Sequence, residues 1–252
     1  DDPEPIILIH GTGASLHTWD AWNAALVDER RVIRFDLPAF GLTGPEPNDN
    51  YTIENYAQFV VAVLDKLHIS TGVLVGNSLG GYIAWATGVL HPTRVSKLVL
   101  VDASGYPYAA KSVPLAFKLA QMPVIKHVIK NVLPRGLVQG SLENVYGNPE
   151  LVTDDLVDRY FDLATREGNR AALAQRFKQT VPGPLVQRLD EINIPTLIIW
   201  GEKDNLIPLV FAERFQSDIQ NSQLVTFKHL GHVPHEEGPV ETVTALKAFI
   251  QH

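Results

Sequence analysis

One stretch constrains the fold more than any other part of the chain: residues 73–84, which read Val-Leu-Val-Gly-Asn-Ser-Leu-Gly-Gly-Tyr-Ile-Ala. A short β-branched run leads into Gly76-Asn77-Ser78-Leu79-Gly80, the G-x-S-x-G spacing of a sharp turn from a strand into a helix. Glycines two positions before and after Ser78 remove Cβ atoms that would clash in such a turn. The following helix directs backbone N–H groups at the serine. A glycine-rich turn with an incidental serine is the alternative interpretation.

Short apolar runs alternate with helix-like segments on both sides of this stretch. Runs that predict buried strands begin at Ile6, Val32, Val73, Leu98, Ile194 and Gln223. Segments with apolar residues at helical spacing separate most of these runs. This order is typical of a mostly parallel sheet with helices on both faces, so we predict an α/β fold.

The alternation stops between residues 104 and 185. No buried-strand run occurs there, and prolines separate segments at helical spacing over 115–121, 124–132, 153–167 and 170–179. Because the alternation then resumes, we predict a helical cap over 104–185. It would be inserted after the fourth visible strand into a core formed by 1–103 and 186–252. A second, independent domain is the alternative.

Composition excludes several classes of function. The net charge is −7 and no basic run stands out, which argues against a nucleic-acid partner and favours a small-molecule substrate. The chain has no cysteine, which excludes disulfides, thiolate metal sites and a cysteine nucleophile. No apolar run approaches the roughly 18 residues of a membrane span, and no signal peptide is visible. A cytoplasmic location is favoured, and the oligomeric state is left open.

A serine nucleophile requires a base and an acid that orients the base. Asp204 follows a predicted strand closely, and His232 follows the last one, so both belong to the edge of the sheet where α/β proteins bind ligands. We predict Ser78, Asp204 and His232 as the catalytic residues, without a cofactor. We expect no metal, since no H-E-x-x-H motif occurs.

Other residues near the same edge are alternatives. Asp102 also ends a strand and is the second candidate for the acid. His229 and His235 flank His232, and we interpret them as supporting or surface histidines. We expect a structural role for His10, and Asp36 is interpreted as a carboxylate that holds a loop.

Five segments resemble the lid-bearing branch of the α/β-hydrolase superfamily: residues 10–13, 36–41, 76–81, 201–204 and 231–237. That branch includes carboxylesterases, epoxide hydrolases, haloalkane dehalogenases and the C–C hydrolases of meta-cleavage products. The segments span nearly the whole chain outside the insertion. The resemblance implies the α/β-hydrolase fold, favours Asp204 because its loop has the family pattern Gly-x-x-Asp, and places the chain order Ser…Asp…His in this family.

The resemblance also implies an oxyanion hole. Its backbone donors are Leu79, the residue after the nucleophile, and Thr12, with Gly13 as the alternative to Thr12. The chain departs from the family in two ways. Ala39 stands where glycine is common, and two strands that similar proteins carry before Ile6 are missing. We therefore expect a further segment upstream of residue 1.

A serine at position 78 argues against dehalogenase and epoxide hydrolase chemistry, since similar enzymes of those kinds use aspartate there. We expect a serine hydrolase that cleaves small or medium, mostly uncharged carboxylic esters. The absence of charge is predicted from the apolar residues of the cap, which should line an apolar pocket. If charged esters are preferred instead, Lys111, Lys118 and Arg135 are the first candidates to bind them. A C–C hydrolase is the alternative, followed by a hydroxynitrile lyase or a ligand receptor.

Overall fold

The structure is a computed structural model that describes residues 4–107, 133–181 and 183–251. The described residues contain one six-stranded sheet in which all neighbouring strands are parallel. The strands are β1 (Ile6–Ile9), β2 (Val32–Arg34), β3 (Gly72–Asn77), β4 (Val95–Val101), β5 (Thr196–Gly201) and β6 (Ser222–Phe227). All six strands agree with the predicted apolar runs to within a few residues, and the predicted α/β fold is confirmed.

The strand order in the sheet is β2-β1-β3-β4-β5-β6. From β1 the chain moves outward to β2, then returns across the sheet to β3. The loops after β1 and β3 therefore diverge at the carboxyl edge, where parallel α/β sheets place their ligand crevices. Because Ser78 directly follows β3, this crevice is where the elbow lies.

Helices cover both faces of the sheet. On one face pack α1 (Asp20–Leu26) and α9 (Pro239–Ile250), which bury Trp22 and Leu246 against alternate residues of the strands. On the other face pack α2 (Ile53–Lys66), α3 (Leu79–Leu90) and α7 (Val210–Asp218). The central strands have both faces buried, which explains why they read as continuous apolar runs.

Three described helices lie between β4 and β5 in the sequence: α4 (Arg135–Val145), α5 (Asp154–Thr165) and α6 (Asn169–Gln179). Val138, Leu142, Leu156 and Val157 form a small apolar cluster between α4 and α5, and Val233 from the far end of the chain joins it. The helices predicted over 115–121 and 124–132 lie outside the described residues. The cap boundaries at 104 and 185 stay a prediction.

The sequence analysis predicts α5 and α6 but not α4. Gly136 and Gly140 lower the intrinsic helix propensity of α4, since glycine is about 1 kcal/mol less favourable than alanine in a helix. Burial of Val138 and Leu142 outweighs this local preference. Threonines cap α2 and α5: the Thr52 and Thr153 hydroxyls accept from the N–H groups of Asn55 and Leu156.

The short helix α8 (Pro234–Glu237) is a single turn that begins two residues after His232 and precedes α9. Among the described residues, no helix combines the length and the apolar character that crossing a membrane requires.

Candidate active site

Ser78 lies at the apex of the turn between β3 and α3, as the sequence predicts. Its backbone has φ +54° and ψ −114°, a conformation that residues with a Cβ rarely adopt. The N–H of Ser78 donates to the carbonyl of Val101 at 3.0 Å, and its carbonyl accepts from the N–H and the hydroxyl of Ser104, both at 3.0 Å. Backbone contacts to the end of β4 therefore keep the serine in this strained turn.

The glycines around Ser78 are required by close backbone contacts. A Cβ at residue 76 would overlap with the backbone of Gly80, and a Cβ at residue 80 would overlap with the backbone of Ile9 and His10. The start of α3 is thus pressed against the end of β1. This contact brings the loop after β1 beside the elbow.

That loop contains the predicted oxyanion donor Thr12. A Cβ built on Gly11 would lie 3.1 Å from the Cβ of Ser78, so the loop passes directly beside the serine. Leu79 is the first residue of α3, where a backbone N–H has no acceptor within the helix. Among the described residues, no hydrogen bond uses the N–H of Thr12 or of Leu79. Both groups are available to an oxyanion, and their assignment as its donors stays a prediction, with Gly13 as the alternative.

His10 fixes the same loop and has the structural environment expected for it. The N–H of Leu37 donates to His10 Nε2 at 2.9 Å, so Nδ1 carries the proton and donates to the carbonyl of Gly11 at 2.8 Å. The imidazole is fully buried, and burial lowers its pKa to about 4. A neutral histidine with both nitrogens engaged in this way holds two loops together.

Asp36 holds the loop after β2. Its two carboxylate oxygens accept from the backbone N–H groups of Leu16 and Leu42, each at 2.7 Å. In this loop, Ala39, Gly41 and Gly44 have positive φ angles of +82°, +51° and +78°. The position at which the family commonly has glycine is therefore one whose backbone conformation favours glycine.

The structure brings Asp204 and His232 into direct contact. Nδ1 of His232 lies 2.7 Å from Oδ2 of Asp204, and both side chains are buried. The other oxygen of Asp204 accepts from the N–H groups of Leu206 and Ile207 at 2.7 and 2.8 Å. Three donors stabilise this carboxylate in its charged form. A charged acid on Nδ1 orients Nε2 of the imidazole as the basic nitrogen.

Two backbone contacts fix the position of His232. Its N–H donates to the carbonyl of Val145, at the end of α4, at 2.7 Å. Its carbonyl accepts from the Asn77 side chain at 2.9 Å. Asn77 precedes Ser78, so the elbow and the histidine loop are directly joined. No hydrogen bond between the Ser78 hydroxyl and the His232 ring occurs among the described residues, and such contacts commonly tighten only when substrate binds.

Asp102, the second candidate for the acid, lies against this pair. It is fully buried at a φ of +45°, and its Oδ1 accepts from the N–H of Gly201 at 3.1 Å. Burial, and then the neighbouring charge of Asp204, raise the pKa of Asp102 well above its usual range. Burial thus favours the neutral form of Asp102, whereas the carboxylate of Asp204 accepts three hydrogen bonds.

Within the described residues, one group of three potential metal ligands converges. Single atoms of Asp102, Asp204 and His232 all lie within 4.8 Å of one another. Two of these groups, Asp204 and His232, are already joined by their own hydrogen bond. A role of these groups in proton transfer stays a prediction.

Comparison with known proteins identifies the chain. The sequence model described as "Alpha/beta hydrolase family" matches residues 6–246. The chain belongs to the α/β-hydrolase family.

The relatives of this α/β-hydrolase include several kinds of hydrolase. It is 31% identical to the uncharacterized hydrolase YugF of Bacillus subtilis over 94% of this chain and 86% of that protein. The meta-cleavage product hydrolase of Pseudomonas fluorescens has a TM-score of 0.86 at 25% identity, covering 99% of this chain and 91% of that one. A bacterial membrane phospholipase A has a TM-score of 0.83 at 28% identity, with 99% and 79% covered.

In this α/β-hydrolase the side chains that follow His232 in the sequence hold the loop around His232, the histidine loop, in place. The carboxylate of Glu237 accepts from the N–H groups of Gly231, Gly147 and Asn148 at 2.7, 3.0 and 2.7 Å. Gly231 precedes His232, and the other two donors follow α4. One side chain therefore clamps the histidine loop to the inserted helices.

Glu236 extends the same contact to α5. Its Oε2 accepts from the hydroxyls of Thr18 and Tyr160 at 3.1 and 2.9 Å, and Arg159 lies 3.5 Å from its Oε1. Burial raises the pKa of Glu236 to about 7 in spite of these contacts. His235 is also fully buried and packs against Trp19, with ring centroids 4.0 Å apart and the ring planes tilted by 32°. His229, in contrast, is exposed and pairs with Glu241.

The sequence analysis missed these supporting residues. It left Asn77, Glu236 and Glu237 without roles, and it left open whether His235 is a surface residue, although His235 lies in the core. One signal was available: His235, Glu236 and Glu237 belong to the segment 231–237, which resembles the family. Their partners are about 80 to 220 residues away in sequence, so spacing along the chain could not reveal the contacts.

Proposed function

We propose that this α/β-hydrolase is a serine hydrolase that cleaves small or medium carboxylic esters through an acyl-enzyme on Ser78. The observation that supports this best is the buried hydrogen bond between Asp204 and His232, on a loop that the residue before Ser78 contacts directly. A serine in a strained turn beside such a pair has the components of a nucleophile, a base and an orienting acid.

The proposed reaction begins when the Ser78 hydroxyl attacks the ester carbonyl. His232 Nε2 takes the hydroxyl proton, and the resulting imidazolium is stabilised by the charge of Asp204. The carbonyl oxygen becomes an oxyanion that accepts hydrogen bonds from the N–H groups of Leu79 and Thr12. One such donor contributes roughly 3–4 kcal/mol to the transition state.

Collapse of this intermediate breaks the bond to the alcohol, which leaves with the proton from His232. A water molecule then attacks the acyl-enzyme while the same imidazole takes its proton. The second tetrahedral intermediate releases the carboxylic acid and returns the proton to Ser78. The proposed sequence consumes one water per ester and needs no cofactor. We also propose that residues 104–185 form the cap that covers this site.

The test uses 4-nitrophenyl butyrate and a fluorophosphonate probe. We expect turnover of the ester, covalent labelling of Ser78 alone, and a loss of about 10⁴ or more in kcat with Ser78→Ala at unchanged Tm. Labelling that persists in Ser78→Ala would contradict the assignment. Binding of esters without turnover would instead favour a receptor.

Similarity to the meta-cleavage product hydrolase favours a second candidate, hydrolysis of a C–C bond in a vinylogous diketone. The same residues would serve this reaction, so the substrate decides between the two. A purified enzyme that cleaves such a diketone at least 100-fold faster than any simple ester would replace the first proposal with the second.

A further inference from the structure

A cavity of about 210 Å³ lies between the first turns of α2 and α3 and the end of α6. Its lining includes Tyr51, Tyr56, Leu79, Tyr82, Arg176 and Gln179. Leu79 directly follows Ser78 and is the predicted oxyanion donor. The cavity therefore adjoins the position where a substrate carbonyl would react.

Arg176 is the unusual residue in this lining, because it is a charged residue and yet only 7% exposed. Its guanidinium lies beside the hydroxyl of Tyr56, which itself donates to the carbonyl of Pro38 at 2.9 Å, and 5.6 Å from the ring centre of Phe177. Within the described part of the chain, no carboxylate forms an ion pair with Arg176. Burial lowers the pKa of this guanidinium, as expected for a cation that lacks a counter-charge.

The remaining sources of a counter-charge are few. Glu54 also lines the cavity, but it is exposed and forms no ion pair with Arg176. Residues 108–132, which lie outside the described part, contain four lysines and no Asp or Glu. That stretch therefore adds cations and no acid that could neutralise Arg176.

A buried charge without a partner is costly, and proteins normally pair such a charge or bind a ligand with it. The planar guanidinium matches a carboxylate, which accepts two parallel hydrogen bonds from it. We propose that Arg176 binds a carboxylate of the substrate, so that the ester cleaved at Ser78 carries a free acid group. This inference rests on the proposed function, since it names the substrate class of the same site.

This inference differs from the sequence-based expectation of uncharged substrates. That expectation depends on apolar residues that lie mostly within 108–132, outside the described part. Of the cations named in that expectation, Arg135 is partly exposed and already forms ion pairs with Asp154 and Asp158. Arg176 lies near the other end of the segment 104–185, and it is the cation to which we assign the carboxylate.

The test compares matched substrates in a pH-stat assay. Monomethyl adipate and methyl hexanoate place the charge on the acyl side, while 4-acetoxybutanoate and butyl acetate place it on the alcohol side. We expect kcat/KM of the wild-type enzyme to favour the charged member of one pair by roughly 30-fold or more. Arg176→Met should abolish that preference, and the control Arg135→Met, at an arginine that already has two carboxylate partners, should keep it.

The outcomes separate this inference from the proposed function. Hydrolysis of the neutral esters that depends on Ser78, with no preference for either charged ester, overturns only the role of Arg176. The same holds if Arg176→Met lowers kcat/KM for charged and neutral esters equally, as loss of packing would. If no ester is hydrolysed in a manner that depends on Ser78, the proposed function itself is wrong.

A second measurement avoids the variant, in case Arg176→Met does not fold. The amides in which N–H replaces the ester oxygen of the four test esters differ, within each pair, by one carboxylate. Each amide is tested for its ability to protect Ser78 of the wild-type enzyme from the fluorophosphonate. We expect the charged amide of one pair to protect at a concentration at least ten times lower than its neutral partner, and less so at high ionic strength. Equal protection within both pairs would contradict a carboxylate site at Arg176.

Discussion

The elbow around Ser78 and the loop around His232 meet at the same edge of the sheet, but different interactions hold them in place. The elbow is fixed by its own backbone: two glycines allow close contacts, and the ends of β1 and β4 press against it. The histidine loop is fixed by side chains. Asn77 connects it to β3, Glu236 to Thr18 and α5, and Glu237 to the residues that follow α4. Backbone contacts therefore determine one half of the candidate site, and side-chain contacts determine the other.

This difference has a consequence for mutation. Substitutions at the elbow should act through steric overlap, so each should either leave stability nearly unchanged or lower it strongly. Substitutions in the histidine loop should have graded effects on stability that depend on pH. The predictions below test this contrast, from the largest expected effect to the smallest.

The largest effect should come from the acid that orients His232. Asp204→Asn replaces a charged acceptor by a neutral amide on Nδ1, which favours the wrong tautomer, and we expect kcat to fall about 10⁴-fold. Asp102→Asn should cost less than about 10-fold, because burial raises the pKa of Asp102 and thereby favours its neutral form, which the amide resembles. Steady-state kinetics with a 4-nitrophenyl ester measures both. The reverse ranking would assign the acid to Asp102.

The elbow glycines should show the next largest effect. Gly80→Ala places a methyl group into the backbone of β1, which cannot move without disturbing the sheet. We expect the free energy of unfolding to fall by more than about 3 kcal/mol, measured by urea denaturation.

Gly140→Ala is the matched control in α4. A Cβ there meets no atom within 4 Å, so the same substitution should raise stability by about 1 kcal/mol through helix propensity alone. If Gly80→Ala and Gly140→Ala have similar stabilities, close contacts do not explain why the elbow has glycine at residue 80.

The same contrast explains what could be predicted from the sequence. Strands with both faces buried give continuous apolar runs, and their order places Ser78, Asp204 and His232 at one edge. The hydrogen bond that links Asp204 to His232 agrees with this placement, although the catalytic roles are still predictions. Helix α4 was missed because packing overrides its two glycines. The side chains of Glu236, Glu237 and Arg176 were missed because their environment depends on helices about 80 to 220 residues away, or on a cavity that only tertiary structure creates.

Stability should depend on pH through Glu236. Its pKa is raised from an ordinary value near 4.5 to about 7, so its contribution to folding is fully present below about pH 4.5 and is lost as pH rises through 7. The loss amounts to at most about 3.5 kcal/mol, since one pKa unit corresponds to about 1.4 kcal/mol. Thr18, Tyr146, Arg159 and Tyr160 are the other polar groups that face this carboxyl.

Glu236→Gln resembles the protonated acid and removes this titration. Urea unfolding at pH 5 and pH 8.5 should show that the variant gains stability relative to wild type at the higher pH. The control Glu143→Gln changes an exposed carboxylate on α4 and should show no such difference. A pH-independent gap between Glu236→Gln and wild type would mean that Glu236 is ionised at both values.

The smallest effect concerns Ala39, in the loop that Asp36 holds. Its φ of +82° costs a residue with a Cβ roughly 1–2 kcal/mol, and glycine would relieve this cost. Loss of a buried methyl group opposes the gain by about 0.8 kcal/mol. Ala57 is equally buried but lies inside α2, where glycine is about 1 kcal/mol worse than alanine. The two Ala→Gly variants should therefore differ by at least about 1 kcal/mol in unfolding free energy, with Ala39→Gly the more stable, and equal values would show that the loop around Ala39 is not strained.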